Sequence, residues 1–168
     1  QWAWLIGSGA APISSMEQVH VLADHGAWML YLAGAAYRIL PSIHWLLASQ
    51  ALALSCTALP IWWLAEQAGL TRRRCWLVCA LWWLQPVVFN AALFDFHPET
   101  WVMPGFALAL WAEREGRPRL WFGLLLLMLG CRDGLVLITA GMAIDLACRQ
   151  RWRWSLAAWG LSIGCLLM

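Results

Sequence analysis

Charge is scarce in this 168-residue chain: Asp, Glu, Lys and Arg make up 12% of it, where a soluble domain would hold about a quarter. The small net charge of +2 gives no footprint for a nucleic-acid partner. Several motifs of soluble enzymes are missing, among them a Gly-rich phosphate-cradling loop, an HExxH helix and a nucleophile elbow. No CxxC pair exists among Cys56, Cys75, Cys79, Cys131, Cys148 and Cys165. All but Cys131 fall inside or at the inner ends of apolar segments, where cysteine packs as a small hydrophobe, so no external disulfide is expected. Cys75 and Cys79 stand at helical i, i+4 spacing, which favours packing over metal ligation. Gln1 to Ile6 carries no charged leader and no cleavage site. The chain begins without Met and stops inside an apolar run, as an internal piece of a longer protein would.

What is abundant is apolar, at 62% of residues, with 15 tryptophans. Many of these stand beside segment ends (Trp45, Trp62, Trp63, Trp76, Trp101, Trp111, Trp121, Trp152, Trp154), and indole, apolar with one N–H donor, favours the headgroup level. Arginine falls into three clusters between long apolar runs: Arg72–Arg73–Arg74, Arg114–Arg117–Arg119 and Arg149–Arg151–Arg153. Basic residues mark cytoplasmic loops of membrane proteins. The reading is an all-α, polytopic membrane protein with those three turns inside.

Residues 1–25 read as an outer loop and 26–168 as a membrane helix domain. Residues 26–40 are apolar but short, and are expected to form an interfacial helix rather than a span. Membrane helices are expected at about 43–65, 75–94, 99–113, 118–132, 134–149 and 154–168, with Pro86 kinking the second. Parity then places the Asp95–Glu99 loop, the Arg132–Gly134 turn and all four histidines (His20, His25, His44, His97) outside. The segments after Glu99 are short, with Glu113 and Arg149 extending their inner ends by snorkelling. Their outer ends should stop below the surface, leaving these polar turns in a recess.

Asp95, His97 and Glu99, with Asn90 one turn earlier, form the densest constellation. Two carboxylates and an imidazole can hold a divalent cation or share proton transfer, so they are the candidate catalytic residues and the candidate metal ligands. A capping Asp95 and a dipole-complementing Glu99 would be the structural explanation. Arg132–Asp133 offers a buried guanidinium shaped for a phosphate, or an ion pair closing its turn. Asp24–His25 is a further binding candidate, or a cap for a helix beginning at Gly26. Asp145 and Arg149 read as a helix ion pair, and Gly160–x–x–x–Gly164 as a packing face.

LADH at 22–25, FDFHPE at 94–99 and the basic–acidic turn at Arg132–Asp133 occur together in this order in a bacterial family of multi-pass membrane proteins of unknown function, which this chain resembles over nearly its whole length. That family in turn resembles the GT-C glycosyltransferase superfamily, whose members use polyprenyl-phosphate-linked sugars on the outer face of the membrane. The family's turn reads K/R-E-D, whereas here it is Arg132–Asp133–Gly134, so a role that needs the second acid does not carry over. Gln1–Trp2–Ala3–Trp4 is similar to the tail of a stretch that follows a first membrane helix and an acidic motif in the family. The resemblance implies a GT-C-like fold in the bacterial inner membrane and sugar transfer from a polyprenyl-phosphate donor to an acceptor. It also implies a site of Asp95, His97 and Glu99 with Asp24, His25, Arg132 and Asp133 holding substrate. A lipid or anion carrier without chemistry, and a purely structural membrane subunit, are the competing readings.

Overall fold

The computed structural model describes residues 1–16 and 18–167. The helices among them are α1 (Trp2–Gly7), α2 (Val21–His25), α3 (Met29–Ile39), α4 (Ile43–Cys56), α5 (Ala58–Gln67), α6 (Arg72–Trp83), α7 (Pro86–Leu93), α8 (Val102–Arg114), α9 (Pro118–Leu129), α10 (Val136–Cys148) and α11 (Trp152–Leu166). Short 3₁₀ turns at Pro98–Trp101 and Asp133–Leu135 precede α8 and α10. The only pairing outside helices among the described residues is an isolated bridge between Ile13 and His20. The chain forms two compact units: a central one, Ser42–Leu124, and a terminal one made of Gln1–Pro41 and Leu125–Met168.

In the central unit α4 and α5 run on as one apolar helix of 25 residues, Ile43–Gln67. Ser42 starts it, its side-chain oxygen accepting the His44 N–H at 3.2 Å. At 1.5 Å per residue it reaches about 37 Å, more than the hydrocarbon thickness of about 30 Å. Pro86 has no N–H and pushes the residue before it out of the helical region. Gln85 is accordingly extended (ψ 126°), and α6 and α7 meet at an angle of 49°.

Six crossing helices are expected from the apolar runs, the last four of them short. Among the described residues one helix is long and apolar enough to cross a membrane, or two if α6 and α7 make one broken span. Helices α8, α9, α10 and α11 have 13, 12, 13 and 15 residues, about 18–23 Å of rise against a core of about 30 Å. The two 3₁₀ turns take up residues that a count of apolar runs assigns to α8 and α10. Met168, the last residue of the expected 154–168 segment, lies outside the described residues.

The three arginine turns share one local device. In each, a residue in the left-handed region ends the helix (Gly69 at φ 76°, Gly116 at φ 67°, Gln150 at φ 60°). The next N–H then reaches back five residues, from Leu70 to Ala65, from Arg117 to Ala112 and from Arg151 to Leu146. Gln150 is the one turn residue of the three with a Cβ, which is strained there. Gln150→Gly should therefore raise stability by about 0.5 kcal/mol, less than the usual left-handed penalty of about 1 kcal/mol, because the Trp152 indole loses its 3.1 Å bond to Gln150 Oε1. Thermal unfolding in detergent checks this; a lower melting temperature would contradict it.

Aromatic rings gather at the arginine-bearing end of the central unit. Trp62 meets Trp76 edge-on at 5.0 Å, Trp63 meets Trp111 at 5.3 Å, and the Arg117 guanidinium lies 4.7 Å from the Trp111 ring. Trp82 and Trp83 instead donate to the carbonyls of Leu54 and Ser55 at 2.8 and 3.0 Å, pinning α6 to α4. Cys75 and Cys79 are buried, with their thiols on the carbonyls of Leu70 and Ala58, and none of the six cysteines forms a disulfide among the described residues. Glu113 is buried rather than snorkelling.

In the terminal unit α1 crosses α3 at Gly34, where a Cβ would fall on the Ile6 side chain and 3.3 Å from the Ala3 carbonyl. Leu30, Ala33 and Gly34 form the covered face of α3, while Leu32 and Ile39 stay exposed. Helices α10 and α11 pair through small and hydroxyl side chains. Thr139 and Ser162 share a 2.8 Å hydrogen bond, and the Ser155 hydroxyl donates to the Ala143 carbonyl at 2.8 Å. The face of α11 that packs is thus Ser155, Ala158 and Ser162. Gly160 and Gly164 have nothing within 4 Å of a would-be Cβ, so the GxxxG face expected to pack does not do so within this chain. Arg149 and Asp145 do form the i, i+4 ion pair, at 2.7 Å.

Candidate functional site

The FDFHPE segment forms an irregular turn between α7 and the Pro98–Trp101 3₁₀ turn. Irregular backbone inside a membrane protein needs its polar groups satisfied by protein. Here one side chain does most of this. Gln50, fully buried on α4, donates through Nε2 to the carbonyls of Ala91, Phe94 and Asp95 at 2.8, 3.2 and 3.4 Å. Its Oε1 accepts the His97 N–H at 2.9 Å and lies 3.5 Å from the Thr100 hydroxyl, which itself donates to the His97 carbonyl at 2.7 Å. The neighbouring Ser49 hydroxyl accepts the Trp101 indole N–H at 3.2 Å. Ala91 lies in the last turn of α7, where carbonyls lack helical partners, so Gln50 closes α7 from another helix.

What the turn presents is Asp95 and His97. Their side chains are 72% and 41% exposed, with His97 Nδ1 3.5 Å from Asp95 Oδ1 and 2.9 Å from the Asp95 carbonyl oxygen. The imidazole also stacks, tilted, on Phe94 at 5.3 Å. Asp95 is not a helix cap: the residue before the 3₁₀ turn is His97, and no side chain caps it. Glu99 sits in the first turn after Pro98, half-buried, and Asn90 is exposed and outside this network. Among the described residues no three His, Cys, Asp or Glu side chains come together in a way that could hold a metal ion. No chemistry is assigned to a metal here.

Gln50 lies seven residues past Ile43 on the long helix. At 1.5 Å per residue Gln50 is about 10 Å in from that end and about 25 Å from the Gln67 end. Beside it, between α4 and the α6–α7 bend, runs an apolar groove of about 440 Å³ lined by Ala51, Leu54, Trp83, Val88, Phe89 and Ala92 among others. That volume is in the range of small-molecule sites, roughly 300–1,000 Å³.

The terminal unit brings the other candidates together. His20, through Nδ1, caps α2 by accepting the Leu22 N–H at 3.2 Å. Asp24 and His25 thus close α2 rather than open a helix at Gly26, which is the left-handed residue ending it (φ 58°). His25 Nε2 is 3.0 Å from Asp24 Oδ2, and the Trp2 ring meets the imidazole edge-on at 6.1 Å. A Cβ on Gly26 would lie 3.8 Å from Asp133, and the Met29 N–H donates to the Gly130 carbonyl at 2.8 Å. Segment 24–29 and the 130–133 turn are therefore neighbours. Asp133 Oδ1 accepts the Gly134 N–H at 2.6 Å. Arg132 is exposed, not buried as the sequence reading has it, because it stands extended (φ −166°) ahead of the 3₁₀ turn. Gln50, Ser49 and Thr100 are residues that sequence reasoning missed. The one signal available was a Gln in the middle of an apolar helix.

In the central unit, then, a polar turn packs against a helix long and apolar enough to cross a membrane. The model of a family described as "Predicted membrane protein (DUF2079)" matches residues 1–168, and the chain belongs to that family. No curated protein and no solved structure matches the chain.

Proposed function

We propose that this protein is a multi-pass inner-membrane glycosyltransferase with its arginine turns cytoplasmic and its Asp95–His97 turn on the outer side. The proposed reaction moves a sugar from a polyprenyl-phosphate donor to an acceptor hydroxyl. The acceptor oxygen bonds to the anomeric carbon, the bond from that carbon to the phosphate oxygen breaks, and polyprenyl phosphate leaves with the electron pair. His97, with Asp95 beside it, takes the hydroxyl proton; Glu99 orients the acceptor from the following turn. Arg132, with Asp24, His25 and Asp133 around its turn, is assigned the donor phosphate on the chemistry of guanidinium. The observation that carries this reading is the depth of the turn. An imidazole–carboxylate pair on a turn held by a glutamine about 10 Å inside the end of a helix of spanning length, beside an apolar groove, suits a substrate that stays anchored in lipid. The exposed apolar side of α3 (Leu32, Ile39) suits a helix lying at the membrane surface. The resemblance to GT-C enzymes supplies the reaction class.

The test uses the full-length protein in proteoliposomes with a polyprenyl-phosphate donor carrying a labelled sugar, and follows release of polyprenyl phosphate. His97→Ala should slow release by about 10²-fold or more, the usual weight of a general base. Arg132→Ala should raise the donor KM. Labelled donor crossing the bilayer with its sugar–phosphate bond intact would overturn the reading in favour of a carrier.

A further inference from the structure

We propose that Gln50 is a positioning residue that holds His97 as its Nδ1–H tautomer, so that Nε2 is the basic nitrogen the turn offers to a ligand. His97 Nδ1 lies 2.9 Å from the backbone oxygen of Asp95, and a carbonyl can only accept. The proton must therefore be on Nδ1, and Nε2 carries the lone pair. That bond forms only while the backbone from Asp95 to His97 keeps the conformation of this turn. Gln50 grips it at both ends, its Nε2 on the Asp95 carbonyl at 3.4 Å and its Oε1 on the His97 N–H at 2.9 Å.

The carboxamide is the one side-chain group of this size that fits. Its NH₂ meets three carbonyls and its oxygen accepts the His97 N–H. A carboxylate could accept but not donate, and an apolar isostere could do neither. Asn would be one methylene too short to reach from α4. The Phe94 ring on one side of the imidazole limits its rotation further. The inference deepens the reading of His97 as a proton acceptor, but the tautomer is observable without any substrate, so the two can fail separately.

The experiment is long-range ¹H–¹⁵N correlation NMR on the full-length protein, labelled with ¹⁵N-histidine, in detergent micelles. His97 is assigned by its disappearance in His97→Gln. At a pH where the ring is neutral, the wild type should show Nδ1 protonated and Nε2 bare. Gln50→Glu and Gln50→Met should shift His97 towards the Nε2–H form that imidazole prefers in water, while His20, acting as a cap in the terminal unit, keeps its spectrum. If the Gln50 variants do not fold, Thr100→Val, which removes only the hydroxyl clasp, should show a smaller shift in the same direction. An Nε2–H tautomer in the wild type, or an unchanged His97 pattern in folded Gln50 variants, would overturn the proposal.

Discussion

Replacing Gln50 with leucine should destabilise the protein by about 3 kcal/mol. A buried polar backbone group left without its partner costs roughly 1–3 kcal/mol. Gln50→Leu strips the closest partners from two such groups, the Ala91 carbonyl at 2.8 Å and the His97 N–H at 2.9 Å. The longer bonds to Phe94 and Asp95 count for less, since the turn is open to solvent at Asp95. Side-chain hydrogen bonds in membrane proteins average only about 0.6 kcal/mol, because the reference state also finds partners. The larger figure holds here because the groups left behind are backbone ones, one in the last turn of α7 and one in the turn after it, and neither can rotate away as a side chain can. Unfolding in mixed micelles measures it; a loss below about 1 kcal/mol would show that water or neighbours satisfy the turn without Gln50.

Gly34→Leu should be comparably damaging in the terminal unit, for a steric reason. Even a Cβ at position 34 would overlap the Ile6 side chain at its own Cβ, the stiff base of a branched residue, and press on the Ala3 carbonyl. Helix α1 must then leave α3. Overpacking of this kind costs about 1–3 kcal/mol and occasionally more, and the upper end is expected because backbone as well as side chain has to move. Limited proteolysis within residues 8–15 should accelerate as α1 detaches. Gly160→Ala, where nothing lies within 4 Å, is the matched control and should be neutral or stabilising, since alanine is the better helix former by up to about 1 kcal/mol. Equal damage from both would contradict the crossing of α1 on α3.

The features legible in the sequence were those set by local chemistry. Scarce charge and long apolar runs gave helices; Pro86 gave the bend; Asp145 and Arg149, one turn apart, gave their ion pair. The FDFHPE segment stood out because carboxylates and imidazole are rare in so apolar a chain. What was hidden depends on partners distant along the chain. Gln50 reaches groups 41 to 47 residues away, and nothing near it in sequence tells a turn-holding glutamine from any other. The packing face of α11 was not legible because Gly160 and Gly164 match a known spacing, whereas it is the hydroxyls of Ser155 and Ser162 that gain hydrogen bonds against α10. The starts of α8 and α10 were set too early because 3₁₀ turns leave no mark in hydropathy. Glu113 looked like a snorkelling end residue, yet α8 turns it inward.

The central claim is that the arginine turns and the Asp95–His97 turn face opposite sides of a membrane. With the six native cysteines replaced, single cysteines at Asp95 and Arg74, both exposed positions, can be tested with a membrane-impermeant maleimide on intact spheroplasts. The account predicts that Asp95→Cys is labelled at once and Arg74→Cys only after lysis. Labelling of both from the same compartment would contradict it.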